Sequence, residues 1–249
     1  MKLFKKQVEL SFDKSSKIYD NHNALQKEVS EKLLNLFFDL EENKRDDLFL
    51  LDLGCGTGET SKKLLEKIKI KKIHMLDISN KMLQVSKKKI SHDNIYFYKK
   101  DFDNFNDFKK YNIIMSNMSV HWSKDFFHLI KKILNSIKKD TIILLSLPNS
   151  KSFSDLKQKH RKLLNDFPNI SKIEKEFDSK KFYFEHKEIE HYQSFKNILD
   201  FFKNLKKTGT HVNSASKTQQ KELFKLRVDS DNIIVNFKIS YLLFKKIEK

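Results

Sequence analysis

Hydrophobic positions along this chain follow two rhythms. From residue 17 to 40, Ile18, Leu25, Val29, Leu33 and Leu36 or Phe37 recur on one face near a 3.6-residue period, which predicts an amphipathic helix. Short apolar runs follow at 48–53, 72–77, 94–98, 111–116 and 141–147, each of strand length. Helical spacing returns between them: Leu64, Leu65 and Ile68 line one face of the stretch from Glu59 to Ile70. Strands alternating with helices predict a doubly wound α/β fold, with a mostly parallel sheet covered on both faces. Pro148-Asn149-Ser150 breaks the alternation. Residues 151–180 then read as a helical insertion (Phe153, Leu156, His160, Leu163, Leu164), with a turn at Phe167-Pro168-Asn169. A strand near 182–191, a helix near 194–206, a turn at Thr208-Gly209 and a strand near 233–244 bring the sheet to seven strands. The length suits one domain over residues 1–249.

Composition sharpens one point. The chain has 4 glycines, and three of them lie in Leu50-Leu51-Asp52-Leu53-Gly54-Cys55-Gly56-Thr57-Gly58, between the first strand and its helix. Glycine costs backbone entropy, so such a cluster marks a tight turn or a close approach to a ligand. The second strand ends in Asp77, about twenty residues on, where a carboxylate can bind ribose hydroxyls or instead cap the helix starting near Ser79-Asn80. No Lys-Ser/Thr follows the glycines, which excludes a P-loop, and the third glycine comes one residue too early for the dinucleotide fingerprint. Asp52 would repel a pyrophosphate. It suits a ligand carrying positive charge and no phosphate, as S-adenosylmethionine does.

Leu51 to Gly58 resembles motif I of the class I S-adenosylmethionine-dependent methyltransferases, and Met75-Leu76-Asp77-Ile78-Ser79-Asn80-Lys81-Met82-Leu83 resembles their second motif. Lys99-Lys100-Asp101-Phe102 is similar to the third. The resemblance implies a Rossmann-like sheet whose sixth and seventh strands are antiparallel. It also implies a cofactor site made of Asp52, Gly54, Cys55, Gly56, Asp77, Ile78, Met82, Asp101, Phe102 and Asn117, with no metal. Asp77 would hold the ribose, and Asp101 would read the adenine amino group. Where that family often has Pro-Gly-Gly before strand five, this chain has Ile137-Lys138-Lys139-Asp140.

Three longer segments resemble a narrower family, the malonyl-acyl-carrier-protein methyltransferases of biotin synthesis. Ser15 to Val29 carries that family's Tyr, acid, His and Gln as Tyr19, Asp20, His22 and Gln26. Ser116-Asn117-Met118-Ser119-Val120-His121-Trp122 matches its Ser-Asn-Leu-x-x-Gln-Trp, with His121 in place of Gln, and Leu205 to Thr210 continues the match. The resemblance implies methylation of the free carboxylate of malonyl-carrier protein. It also implies an N-terminal lid helix of about 14–40, with Tyr19, His22, His121 and Trp122 around the reacting groups. A malonyl carboxylate is ionised at pH 7, so its methylation needs no general base. Tyr19 would also cover the cofactor, and Lys131 on the following helix would pair with the incoming carboxylate. Each has a plainer reading: Tyr19 and His22 as polar positions on a packed helix, Trp122 as a core anchor, His121 as a structural polar group and Lys131 as a solvated side chain.

Net charge is +17, with forty-seven lysines against three arginines. Arginine is the preferred reader of phosphate and base edges, so nucleic-acid recognition is not expected. A lysine coat, with the lysines of the 151–180 insertion, suits an acidic carrier protein instead. No apolar run approaches the ~20 residues of a membrane span. The lone Cys55 and an N-terminus without a signal-peptide core point to the cytoplasm, and a monomer is expected. Other readings are open on these residues. His121-Trp122-Ser123-Lys124-Asp125 resembles the His-Trp-x-x-Asp segment of a methyltransferase-like hydroxylase of respiratory complex I assembly. A small-molecule methyltransferase, or a non-enzymatic S-adenosylmethionine-binding assembly or regulatory protein, would share the first three motifs.

Overall fold

The computed structural model describes residues 2–40, 47–176, 180–211 and 232–247. Five parallel strands form the body of the sheet: β1 (Phe49–Leu53), β2 (Lys72–Asp77), β3 (Ile95–Lys99), β4 (Ile113–Asn117) and β5 (Ile142–Pro148). A hairpin of β6 (Phe182–Phe195) and β7 (Ile233–Lys246) completes it in the order β3-β2-β1-β4-β5-β7-β6, with β7 antiparallel to both neighbours. The expected seven-stranded, mostly parallel sheet is present. Its central strands read as unbroken apolar runs because helices cover both faces. Leu50, Met75, Met115 and Leu144 face the layer containing α2 (Ala24–Phe38) and α8 (Ile198–Lys207). Leu51, Leu53, Ile114 and Leu145 face the layer containing α5 (Phe126–Ser136).

β1 pairs with β2 on one side and β4 on the other. The chain therefore reverses its direction of winding at β1, and the carboxyl ends of these strands leave a crevice where open α/β sheets bind ligands. Helices α3 (Glu59–Leu65) and α4 (Asn80–Lys89) start beside it. Among the described residues, no helix is long and apolar enough to cross a membrane.

The N-terminal region differs from its expected form. The helix read over 17–40 begins only at Ala24, and a second helix, α1 (Lys2–Ser15), precedes it. Between them Tyr19–Asn21 makes one 3-10 turn. Serine hydroxyls end α1 by bonding back to the main chain, Ser15 to the Phe12 carbonyl at 3.2 Å and Ser16 to that of Asp13 at 3.0 Å. Val8 of α1 is buried in the same core as α5, and Phe4 and Phe12, four residues to either side, pack against it.

The 151–180 insertion is also less helical than its pattern. It holds only α6 (Gln158–Arg161) and α7 (Ser171–Glu176), and residues 177–179 lie outside the described set. Its start is tied to β7 instead. Phe153 takes a left-handed φ of 64° and its N–H donates to the Asn236 carbonyl at 2.8 Å. In the turn before β5, Asp140 adopts a φ of 62°, a conformation that glycine takes more readily.

Candidate functional site

A cavity of about 830 Å³ occupies the crevice, floored by the glycine loop. Asp52, Gly54, Cys55 and Gly56 line it from β1 and its loop, and Asp77, Ile78 and Met82 from β2 and α4. Asp101, Phe102 and Asn117 come from the ends of β3 and β4, and Tyr19 from the turn above. All of the residues expected around the first ligand thus meet in one space.

The glycines serve different ends. A Cβ on Gly54 would stand 1.7 Å from the Ser119 Oγ, so packing forbids a side chain there. At Gly56, φ is 54° and nothing lies within 4 Å of such a Cβ, so bare backbone faces open cavity. Asp77 ties the loop to β2: its carboxylate accepts the Gly56 N–H at 2.8 Å and the Ser79 N–H at 2.8 Å. The helix cap is Ser79 itself, whose hydroxyl accepts from the Met82 N–H at 3.1 Å. Asp77 therefore supports the turn into α4 and still lines the cavity.

Burial dominates the electrostatics. It raises Asp52 to about 7, against the lowering effect of its 2.7 Å bond from the Ser61 hydroxyl, and the Asp77 charge raises it further. Burial likewise raises Asp77 to about 6, with its backbone hydrogen bonds opposing. Among the described residues, no cationic side chain forms an ion pair with either carboxylate. Burial, then the charges of Asp77 and Asp20, push the half-buried Tyr19 phenol upward. The Cys55 thiol is raised too, by burial and then by Asp77 and Asp52, so it is protonated and inert as a nucleophile.

A roof covers this cavity. Lys5 of α1 bridges Asp101 and Asp103, both at 2.9 Å, and lies 4.5 Å from the Phe102 ring centre. Asp13 accepts from the Ser79 hydroxyl at 2.6 Å, and Glu9 pairs with Lys99 at 2.8 Å. Asp20 accepts from the Thr57 hydroxyl at 2.7 Å and from Lys89 at 2.6 Å, and Lys89 also reaches Glu59 at 3.1 Å. Tyr19 is thereby pinned above the glycine loop.

A second cavity, of about 660 Å³, adjoins the first. Gln26, Met118 and Trp122 line both. Asn117 braces this shared wall, donating to the Gln26 carbonyl at 3.0 Å and accepting from the Ser146 hydroxyl at 2.7 Å. Met118 holds a left-handed φ of 52°, an uncommon geometry for a residue with a side chain. His22 and His121 line the second cavity only. Burial holds His121 neutral by lowering it to about 3, and neither its Nδ1 nor the Trp122 Nε1, both buried, has a hydrogen-bond partner. Trp122 also packs against Phe4 and Phe12, with ring centres 6.2 and 5.9 Å away, so it is core anchor and cavity wall at once. Lys131 is exposed on α5 and lines neither cavity, in keeping with a solvated lysine. The sequence reading missed Lys5, Val8 and Phe12 of the roof, although the four-residue spacing of Phe4, Val8 and Phe12 was the available signal.

The sequence profile of a methyltransferase domain family matches residues 21–225. Malonyl-[acyl-carrier protein] O-methyltransferase 1 of Ilyobacter polytropus is 27% identical over 260 residues, which cover 98% of this chain and 96% of that protein. The enzyme of the same description from Calditerrivibrio nitroreducens is 29% identical, over 96% of this chain and 89% of its own. Among solved structures, the YcgJ protein of Bacillus subtilis superposes with a TM-score of 0.60 at 18% identity, covering 88% of this chain and all of that one. The plantazolicin methyltransferase BpumL gives 0.52 at 15% identity, over 99% and 98%. These structural likenesses bear on the fold.

Proposed function

This chain belongs to the methyltransferase domain family, and we propose that it moves a methyl group from S-adenosylmethionine to the free carboxylate of malonyl-acyl-carrier protein. The observation that carries the reading is the pair of cavities meeting at Gln26, Met118 and Trp122, one lined by buried carboxylates and the other free of charged side chains among the described residues. Relatives described as malonyl-[acyl-carrier protein] O-methyltransferases, matched over nearly the whole chain, support the choice of acceptor.

The first cavity suits the donor. Asp52 and Asp77 are desolvated carboxylates without a cation, which favours a positively charged ligand. Asp77 would hold the ribose, Ile78 and Met82 would flank the adenine, and Gly54, Cys55 and Gly56 would carry the ligand on bare backbone. Both bonds that Asp101 accepts, from Lys5 and from the Asp103 N–H, fall on Oδ1, which leaves Oδ2 for the adenine amino group. Bound there, S-adenosylmethionine supplies an activated methyl group on a sulfonium. The protein's part is to orient the acceptor and exclude water, and an ionised carboxylate asks for no proton transfer. His22, His121 and Trp122 would surround the malonyl group, with Tyr19 closing the donor side. The lysines of α6 and α8 would meet the acidic face of the carrier, and the protein would work as a cytoplasmic monomer.

One observation weighs against the hydroxylase reading. The Asp125 carboxylate caps α5, accepting the His128 N–H at 2.9 Å, and lines neither cavity. The decisive experiment incubates the protein with labelled S-adenosylmethionine and either malonyl- or acetyl-carrier protein. One methyl on malonyl-carrier protein and none on acetyl is the expected mass-spectrometric result. Methyl on both, or on neither with the cofactor bound, would sink the proposal.

A further inference from the structure

We infer that the second cavity holds its carboxylate with neutral hydrogen-bond donors and no counter-cation, the donors being the indole Nε1–H of Trp122 and the imidazole of His121. This rests on reading that cavity as the malonyl site. Two independent observations carry it. First, the lining consists of amides, hydroxyls, imidazoles and apolar groups, with no Lys, Arg, Asp or Glu among the described residues. Second, Trp122 Nε1 and His121 Nδ1 are buried on neighbouring side chains of this lining, and neither has a partner. Buried polar atoms almost always find partners, because an unpaired one loses its hydration for nothing. Two orphans side by side in the wall of this cavity, neither open to it in this conformation, are groups that a ligand's polar atoms can satisfy once a small turn of either ring brings them to it.

The chemistry of the two groups fits an anion. Indole N–H can only donate. Imidazole held neutral by burial donates from one nitrogen, and the Nδ1–H tautomer places that proton on the unpartnered atom. A lysine in their place would bind a carboxylate more firmly, but it would stabilise the bound acid as well as the transition state and draw electron density from the attacking oxygen. Neutral donors fix the carboxylate's position while leaving its oxygen a strong nucleophile in a water-poor space. Lys131, exposed on α5, has no part in this grip.

The test measures binding rather than turnover. Malonyl-pantetheine and acetyl-pantetheine, free of the carrier and its surface charge, are titrated by calorimetry into protein saturated with S-adenosylhomocysteine. Malonyl-pantetheine affinity should change less than about twofold between about 50 and 500 mM NaCl, since no ion pair is there to screen. Trp122→Phe and His121→Leu should each weaken malonyl-pantetheine about tenfold or more, while His121→Gln, which keeps a donor, stays within about threefold. Acetyl-pantetheine should respond little to any of them. A steep loss of affinity with salt, which marks a counter-cation in the cavity, overturns the inference. So do equal losses for both arms, which would make the two residues structural. His121→Leu, a half-buried position, keeps the test available should Trp122→Phe fail to fold. If the wild type esterifies malonyl-carrier protein while the variants bind normally, the donors are misassigned and the function stands; no esterification by the wild type removes the function itself.

Discussion

The two cavities share a wall and differ in how they treat charge. The first buries Asp52 and Asp77 with no ion-pair partner among the described residues, and burial raises the two carboxylates to about 7 and about 6. The second is lined by no Lys, Arg, Asp or Glu among the described residues and leaves the Trp122 Nε1 and His121 Nδ1 without partners. A protein that brings a cationic donor to an anionic acceptor can let each reactant be the other's counter-ion. On that reading, selectivity for the donor would come from charge, and selectivity for the acceptor from hydrogen-bond geometry. The contrast can be broken at several points.

Asp77→Ala should have the largest effect. A charge-assisted bond of about 1.5–3 kcal/mol is lost, so S-adenosylmethionine affinity falls at least tenfold with the sheet intact. Unchanged affinity by calorimetry would take Asp77 out of the donor site. The pH dependence comes next. A positively charged ligand binds the ionised forms of Asp52 and Asp77, so binding expels protons wherever the free protein holds them. Donor affinity should therefore level off above about 8, fall about tenfold per pH unit between about 7 and about 6, and approach a hundredfold per unit below that, where both carboxylates hold protons. The sign for stability is opposite in the empty protein: carboxylates raised above their unfolded values contribute most below about 4, and that contribution is lost as pH rises through 6 to 7. The thermal shift produced by the donor should accordingly grow from pH 5.5 to 8. A shift independent of pH would mean that neither carboxylate meets the cation. Tyr19→Phe should be the mildest change. Tyr19 lines only the first cavity, so losing a neutral hydrogen bond should cost donor affinity about three- to tenfold and leave malonyl-pantetheine binding alone. The reverse pattern would return Tyr19 to the acceptor role that its sequence context implied.

The same contrast explains how much could be read from the chain. The first cavity is built largely from short motifs at strand ends, so the spacing of Gly54, Gly56, Asp77 and Asp101 carried nearly all of its floor. Each of those residues does line it. The second cavity draws on the start of α2, the turn after β4, the insertion and α8, segments brought together only by the tertiary fold. Nothing local marks such a space, and only the resemblance of the segments around His22 and His121 pointed toward it. The roof escaped for a different reason. The apolar stripe of α1 is three residues long, Phe4, Val8 and Phe12, and lysines surround it. Lys131 shows the opposite failing: its chemistry suited a carboxylate, but the helix turns it to solvent.

The roof over the glycine loop also sets a clock. Its attachments to the body include the Lys5 bridge to Asp101 and Asp103, Glu9 to Lys99, and Lys89 to Asp20 and Glu59. The Lys5 bridge is buried and resists screening, whereas the Lys99 and Lys89 pairs are partly exposed, add little to equilibrium stability and yield to salt. Their weight falls on how often the roof lifts, and so on how fast a spent nucleoside leaves and a fresh one enters. The residence time of the first ligand should therefore shorten as ionic strength rises, while the sheet beneath is held by apolar packing that salt does not weaken.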